Sequence, residues 1–357
     1  MSSFTRVVGL GMILLTGICT VQAQDYTDGP AAMYAVSWAA EQHFSRSQYD
    51  ELDEMFAELS DSDQRLDDGR WPIAGFTSGI TDFISSHKDW DWMEANIAAW
   101  KIRNRRSIAA AIVEAQYWIT YAWDARGEGF ANTVTPEGWE LFRGRLDIAR
   151  SVLDSSKSYA SVSPLWYDKY LEVANAQGWS REEIQILFEE AVEKEPYYYD
   201  HYFSMTRYLQ PRWHGDFSAI EEFARWAASS TGDVEGKSLY SRIYWYLDQS
   251  EAVDFNLFQD SFASWEVMKA GFHDLMERHP NSYWNMNNFA VFACRAGDRD
   301  TYTALRPQFK GREFHMAWPS NLSVEICDLR MLTEDESRLK TQSLPRTGSA
   351  ALRHLKV

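Results

Sequence analysis

Histidine is the side chain best suited to exchanging protons near neutral pH, and three of the eight histidines in this sequence are candidates for a shared site. They are His201, His214 and His273, and the sequence does not show whether they meet in the fold. No Ser–His–Asp order, His-Glu-x-x-His helix or phosphate-binding loop accompanies them. His214 follows Trp213 directly, a position more typical of a hydrogen-bonded turn residue than of a general base. The sequence therefore assigns no catalytic residue.

Acidic residues offer two further kinds of chemistry. His87, Asp89 and Asp91 alternate as metal ligands can. Carboxylates in the first turn of a helix are, however, already explained by capping and by the helix dipole. Many acidic pairs could serve as a hydrolase dyad, and no pattern singles one out. We therefore predict no metal site and no cofactor.

The segment from Trp123 to Phe130 contains Arg126, Gly127 and Gly129. Its glycines could surround a phosphate, but no strand precedes them and no helix follows directly, so nucleotide binding is not expected. The segment predicts a tight turn in which Arg126 holds backbone carbonyls or carboxylates.

Residues 163–216 are the stretch around which the predicted helices are organised. Ser163 and Pro164 predict a helix start, because the Ser hydroxyl can cap free N–H groups and Pro suits the first helical position. Gly178 predicts a left-handed end to that helix. A second helix then begins at a capping box formed by Ser180 and Glu183.

A third helix, from Tyr197 to Leu209, ends in a turn that runs to Asp216. Arg212 is expected to stack on Trp213, since a guanidinium over an aromatic face is favourable. Together with the Arg126 loop, this turn completes the predicted set of binding or structural turn residues: Arg126, Gly127, Gly129, Trp139, Tyr199, Pro211, Arg212, Trp213, His214 and Gly215.

Amphipathic helical patterns recur along the chain, and no alternating strand pattern is found. The segment from Ser107 to Trp123 is apolar nearly all round, which predicts a helix buried in the middle of the fold. Phe188, Ala191 and Pro196 have the spacing of the second helix of a tetratricopeptide repeat. We predict an all-α protein, an array of antiparallel helical hairpins forming a tetratricopeptide-like α–α superhelix.

Short motifs that support this prediction are spread over residues 50–330: Ala122-Trp123, Arg126-Gly127-x-Gly129, Thr133-Val134-Thr135, Gly138-Trp139, Pro164-x-Trp166-Tyr167, Glu195-Pro196-x-Tyr198-Tyr199, Leu209-x-Pro211-Arg212-Trp213-x-Gly215, Asn288-Phe289-Ala290 and Ala296-Gly297-Asp298. Together they resemble a bacterial protein family of unknown function with tetratricopeptide-like helices. The resemblance implies a helical array without an established set of catalytic residues. His214 is a departure, since it is not a fixed part of that family's turn.

The two ends of the chain are expected to lie outside the helical domain. Arg6 precedes an apolar run from Val7 to Val21, which is shorter than the roughly 20 residues of a spanning helix, and a small-residue cleavage site ends at Ala23. We predict a signal peptide at residues 1–23, a helical repeat-like domain at 24–335 and a disordered tail at 336–357. The mature protein is then periplasmic or secreted, without a transmembrane segment.

The formal net charge of −17 disfavours nucleic acid and anionic membrane surfaces as partners. Two cysteines, Cys294 and Cys327, remain after the predicted cleavage. An exported chain with an even number of cysteines can form a disulfide, and two buried free thiols are the alternative.

Two hypotheses of function follow. The first is a periplasmic scaffold whose concave helical surface binds a protein or peptide, which is suggested by helix pairs without a catalytic motif. The alternative is an envelope enzyme, a glycan- or peptide-directed hydrolase with an acidic, aromatic-lined groove. The first is preferred, partly by analogy of fold.

Overall fold

The computed structural model describes residues 28–61, 65–127, 129–251 and 255–331, and no β-strand occurs among them. The all-α prediction is confirmed, whereas the predicted signal peptide at 1–23 and the tail at 336–357 lie outside the described residues. Two short 3₁₀ turns, Ala131–Thr133 and His315–Ala317, accompany the α-helices of this part of the chain. The α-helices are α1 (Gly29–Ser45), α2 (Tyr49–Ser60), α3 (Ile73–His87), α4 (Trp90–Arg103), α5 (Ile108–Arg126), α6 (Pro136–Ala160), α7 (Pro164–Gln177), α8 (Arg181–Lys194), α9 (Tyr199–Tyr208), α10 (Phe217–Ser230), α11 (Gly232–Glu235), α12 (Ser238–Ser250), α13 (Leu257–Asp260), α14 (Trp265–Arg278), α15 (Tyr283–Ala296), α16 (Arg299–Leu305) and α17 (Val324–Met331).

The predicted boundaries of the α7–α8 pair are set by local hydrogen bonds. Gly178 ends α7 in the left-handed region at φ 69°, where a glycine avoids the steric cost of a side chain. The Ser180 hydroxyl accepts from the Glu183 amide, and the Glu183 carboxylate accepts from the Ser180 amide, so the capping box is confirmed. The predicted cap at Ser163 is wrong in one respect. Ser163 stands at the cap position, but its buried hydroxyl has no hydrogen-bond partner among the described residues.

Eight of the described helices form a closed series, in which each helix contacts the next and the last contacts the first. The series runs α1, α3, α5, α7, α9, α12, α14, α15, and α15 then contacts α1 again. Helices α2, α4, α6, α8 and α10 pack against members of this series. One continuous apolar core extends from Ala40 to Met331. As predicted, α5 is buried around most of its circumference.

Polar contacts join the beginning of the described chain to its end. The buried Asp28 carboxylate, before α1, accepts hydrogen bonds from the Ser282 hydroxyl at 2.6 Å and the Trp284 amide at 2.9 Å. The Asp68 carbonyl accepts from Arg242 at 2.5 Å and from Asn285 at 3.1 Å. Because Asp28 and Asp68 are thus held by residues of α12 and of the start of α15, the helical array closes on itself.

Cys294 on α15 and Cys327 on α17 form a disulfide, with their Cα atoms 5.8 Å apart. The alternative of two free buried thiols, which the sequence left open, does not describe this structure. The bond attaches the last described helix to the closed series.

Candidate functional site

Two neighbouring helices of the closed series, α7 and α9, turn a polar face toward the same cavity. On α9 this face carries Asp200, Phe203, Ser204 and Arg207, spaced i, i+3, i+4 and i+7, which places them on one side of a helix. The cavity has a volume of about 340 Å³. Its other walls come from α1, α3 and α12, so it lies between opposite members of the series. The remaining residues that line it are Met33, Arg70, Ala74, Thr77, Ser78, Leu165, Asp168, Lys169, Leu171, Glu172, Asn175 and Tyr246.

An ion cluster on α7 forms part of the cavity wall. The Lys169 ammonium lies 3.1 Å from the Asp168 carboxylate and 3.5 Å from that of Glu172, and the side chains of Lys169 and Asp168 expose only 11% and 16% of their surface. The Ser204 hydroxyl donates to Asp168 at 2.9 Å. Burial alone would raise the Asp168 pKa, but the Lys169 charge and this hydrogen bond outweigh it and hold the pKa below its ordinary value. Asp168 is therefore ionised and fixed.

Asp200 on α9 has the opposite character. Its carboxylate makes no ion pair with any residue that the structure describes. Burial, together with the nearby negative charge of Asp168, raises the pKa of Asp200 to about 6. The two aspartates of the cavity thus differ in protonation behaviour: Lys169 forms an ion pair with Asp168, whereas the more distant charges of Lys169 and Arg70 only partly offset the burial of Asp200.

Arg207 lies at the other end of the α9 face. Its Nε donates to the Tyr246 hydroxyl at 3.1 Å, and no carboxylate of the described residues forms an ion pair with its guanidinium. The Tyr246 ring stacks on Phe203 with centroids 4.9 Å apart, which holds the hydroxyl in place. The side chain of Asn175, on α7, is buried, and its Oδ1 has no partner within the described part of the chain.

The three candidate histidines do not share a neighbourhood. His201 is fully buried, and neither of its ring nitrogens has a partner among the described residues. Burial lowers the pKa of His201 to about 4, so that it is neutral at neutral pH. The Nε2 of His214 lies 3.4 Å from the Asn175 carbonyl, and His273 packs edge-on against Phe289. The three histidines therefore lie in different surroundings and do not form a shared site.

The Arg126 loop brings part of the predicted turn set together. Arg126 donates to the carbonyls of Gly127 at 2.9 Å and Gly129 at 3.0 Å. Its guanidinium lies over the rings of Trp123 and Trp139, with centroid distances of 5.3 and 5.5 Å. Trp213 meets Trp123 edge-on at 6.1 Å. Arg126, Gly127, Gly129, Trp139 and Trp213 therefore form one aromatic cluster, separate from the central cavity.

The predicted stacking of Arg212 on Trp213 is wrong. Arg212 donates instead to the Gln210 side chain at 2.8 and 2.9 Å and to the Ser250 carbonyl at 2.8 Å, which fastens the turn to α12. Hydrogen bonds to a carbonyl and an amide satisfy several N–H groups of the guanidinium at once.

Two further members of the predicted turn set, Gly215 and Tyr199, have roles in holding the fold together. A Cβ at Gly215 would lie 2.5 Å from the Leu209 carbonyl oxygen, so the turn after Pro211 requires glycine there. The Tyr199 hydroxyl donates to Glu235 at 3.0 Å within the buried interior.

Trp213 is half-buried, which lowers the stability effect expected of it. A fully buried indole would lose about 3–5 kcal/mol on truncation to alanine. Because Trp213 is only half-buried and meets Trp123 in an edge-to-face arrangement, we expect Trp213→Ala to lower the free energy of unfolding by about 1–2 kcal/mol. Urea unfolding of the variant measures this directly. An unchanged midpoint would show that the contact with Trp123 contributes no stability.

The alternating residues considered for metal binding have local roles. Asp89 caps α4 by accepting from the Trp92 amide at 3.2 Å, and His87 contacts the Phe83 carbonyl and Ser86. Within the described ranges, no group of three His, Cys, Asp or Glu side chains is arranged to hold a metal ion. In the same part of the chain, no helix combines the length and apolar character needed to cross a membrane.

Comparison with known proteins identifies one segment. Residues 40–142 match a family described as a domain of unknown function (DUF4034). The comparisons with curated proteins and with solved structures gave no match. The matched segment supplies the α3 wall of the cavity and the Arg126 loop, whereas Asp168, Asp200 and Arg207 lie beyond it.

The sequence did not predict Asp168, Asp200 or Arg207 as residues of a functional site. A signal was present, because Asp168 and Lys169 interrupt a helix whose other residues, from Pro164 to Asn175, are nearly all buried. Charged side chains on a helix that is otherwise buried need partners or a ligand. Sequence alone could not show that the polar faces of α7 and α9 point at each other.

Proposed function

We propose that this protein is a binding protein that holds a small charged ligand in the cavity at the centre of its closed helical series. The observation that carries the proposal is the charge arrangement of the cavity wall. Asp200 and Arg207 line it without an ion-pair partner among the described residues, while the adjacent Asp168, Lys169 and Glu172 are fixed by one another. An unpaired carboxylate that is partly buried, such as Asp200, is costly, and a ligand cation would compensate that cost, while the exposed guanidinium of Arg207 can pair with a ligand anion.

The size of the cavity favours a small ligand over a protein surface. Pockets for small molecules range from roughly 300 to 1,000 Å³, and this one, at about 340 Å³, falls at the lower end of that range. Of the partners expected from the sequence, a protein or a peptide, the peptide fits these dimensions better. The acidic composition adds a reason against nucleic acid.

A cavity-filling substitution tests the proposal. Ser78 lines the cavity from α3 and is exposed to it, so we expect Ser78→Trp to block the site without disturbing the core. Native mass spectrometry of the protein purified gently from its own host should show a small-molecule adduct on the wild type and none on the variant. Ser86→Trp is the matched control, because Ser86 is exposed on the same helix but outside the cavity. An adduct retained by Ser78→Trp would contradict the proposal.

A second function, hydrolysis, is favoured by one observation. Asp168 and Asp200 face one cavity with pKa values displaced in opposite directions. Pairs of carboxylates whose environments separate their pKa values in this way can act as general acid and general base. Incubation with cell-wall fragments or peptides distinguishes the two functions, because a hydrolase would release products and Asp200→Asn would abolish the release. A ligand recovered intact supports the binding protein.

We propose export as the cellular context. The apolar run at residues 7–21 and the small residues ending at Ala23 support it, as does the disulfide between Cys294 and Cys327, since such bonds persist in oxidising compartments. N-terminal sequencing of the protein from fractionated cells should begin at Gln24. A cytoplasmic chain that begins at Met1 would contradict this part of the proposal.

A further inference from the structure

The central cavity offers opposite charges at two separated positions on one helix face. Asp200 and Arg207 are seven residues apart on α9, which at 1.5 Å per residue places them roughly 10 Å apart along the helix axis. Neither has an ion-pair partner among the described residues. A ligand that satisfies both must carry a cation at one end and an anion at the other.

The cavity wall between Asp200 and Arg207 is suited to binding the polar backbone of a ligand. Asn175 presents a buried Oδ1 that lacks a donor within the described residues, and an N–H group of the ligand would supply one. The stacked rings of Phe203 and Tyr246 and the side chain of Leu171 add apolar surface for ligand side chains. The wall therefore combines a hydrogen-bond acceptor with apolar contacts.

The spacing of the charges selects the length of the ligand. An extended peptide spans about 3.3–3.6 Å per residue. Roughly three residues therefore separate an amino group at Asp200 from a carboxylate at Arg207. A single amino acid is too short to reach both positions.

We infer that the ligand is a short free peptide of about three residues, with its amino terminus at Asp200, its carboxylate at Arg207 and a backbone N–H donated to Asn175. This inference rests on the proposed binding function and specifies the chemistry of the same site. It distinguishes a free peptide from the end of a longer chain, because both termini must be uncapped.

Four probes test the inference by calorimetric titration of the full chain: trialanine, its N-acetyl derivative, its C-terminal amide, and free alanine. Trialanine should bind most tightly. Each single block should weaken binding by about 10- to 100-fold, because each removes one charge-assisted contact. Free alanine should bind more weakly than trialanine by at least about 10-fold, because it cannot reach both charges.

Variants assign each terminus to its residue. In Asp200→Asn, acetylation should no longer weaken binding, while amidation still should. In Arg207→Gln, the pattern should reverse. Arg299→Gln and Asp300→Asn, exposed on α16 and outside the cavity, should behave as the wild type. The test compares the affinities of blocked and unblocked peptides for the same variant, so it does not depend on the overall stability of that variant.

Two outcomes would overturn the inference. Blocked peptides that bind the wild type as tightly as trialanine would show that the charged ends are not read. The absence of peptide binding, in a protein that still carries an adduct sensitive to Ser78→Trp, would overturn the peptide while leaving the proposed binding function standing. If peptide binding were absent and the wild type also carried no adduct, the proposed binding function would be overturned together with the peptide.

Discussion

Replacing Lys169 by methionine is expected to lower the free energy of unfolding by about 3–5 kcal/mol at pH 7. The Lys169 ammonium is nearly buried and lies between the carboxylates of Asp168 and Glu172. Methionine fills most of the same volume but leaves two negative charges together in a poorly solvated wall. Breaking a buried ion pair on one side is costly for this reason, even where the intact pair adds little stability.

An exposed ion pair provides the control for this prediction. Lys157 contacts Glu190 at 2.8 Å, but its side chain remains 50% exposed. Lys157→Met should therefore change the free energy of unfolding by only about 0–1 kcal/mol. Urea unfolding of both variants measures the difference. Equal effects of the two substitutions would show that the α7 cluster is solvated like the surface.

The effect at Lys169 should depend on pH in a defined direction. In the wild type the pKa of Asp168 is lowered below its unfolded value of about 3.8, so its stabilising contribution is present above that value and is lost as the pH falls through the folded pKa. In Lys169→Met this lowering disappears. The difference between wild type and variant should therefore be largest at neutral pH and should shrink below about pH 4.

Truncating Trp166 to alanine is the second substitution with a large expected effect, about 3–5 kcal/mol. The Trp166 indole is fully buried, and its Nε1 donates to the Ser156 hydroxyl at 3.1 Å. It also packs edge-on against Tyr167 and Tyr170, with centroids 4.9 and 5.2 Å away. Truncation leaves a cavity between α6 and α7 and removes one of the two hydrogen bonds of the buried Ser156 hydroxyl, which also donates to the Leu153 carbonyl.

Trp38 is the matched control for Trp166, because its side chain on α1 is 48% exposed. Trp38→Ala should lower the melting temperature only slightly, as most surface substitutions change stability by less than about 0.5 kcal/mol. Thermal unfolding of the two variants compares them directly. A large loss at Trp38 would indicate that this exposed indole is covered in the native assembly.

Features that depend on nearby residues could be predicted from the sequence. The capping box at Ser180 and the left-handed end at Gly178 involve residues at most a few positions apart. The burial of α5 followed from its apolar circumference. The predictions for Ser163 and Arg212 were wrong because tertiary contacts determine the surroundings of both residues. Ser163 is buried between helices, and Arg212 donates to the Ser250 carbonyl at the end of α12.

The closed order of helices and the cavity could not be predicted in this way. Closure depends on tertiary contacts between distant parts of the chain, such as those of Asp28 with Ser282 and Trp284. The cavity arises only when α7 and α9 lie side by side, which brings Asp200 near Asp168 across 32 positions of sequence. The polar residues of one helix therefore indicated that they need partners in the interior, but they did not indicate that two helices form one site.

The binding role of the central cavity is tested most directly by hydrogen–deuterium exchange. Protein purified with its native ligand would be compared with the same protein after unfolding, removal of the ligand and refolding. We predict that the ligand slows exchange in α7 and α9, where Asp168, Asn175, Asp200 and Arg207 lie, and leaves α16 unchanged. Protection confined to surface helices such as α6 or α10, with α7 and α9 unaffected, would contradict this account.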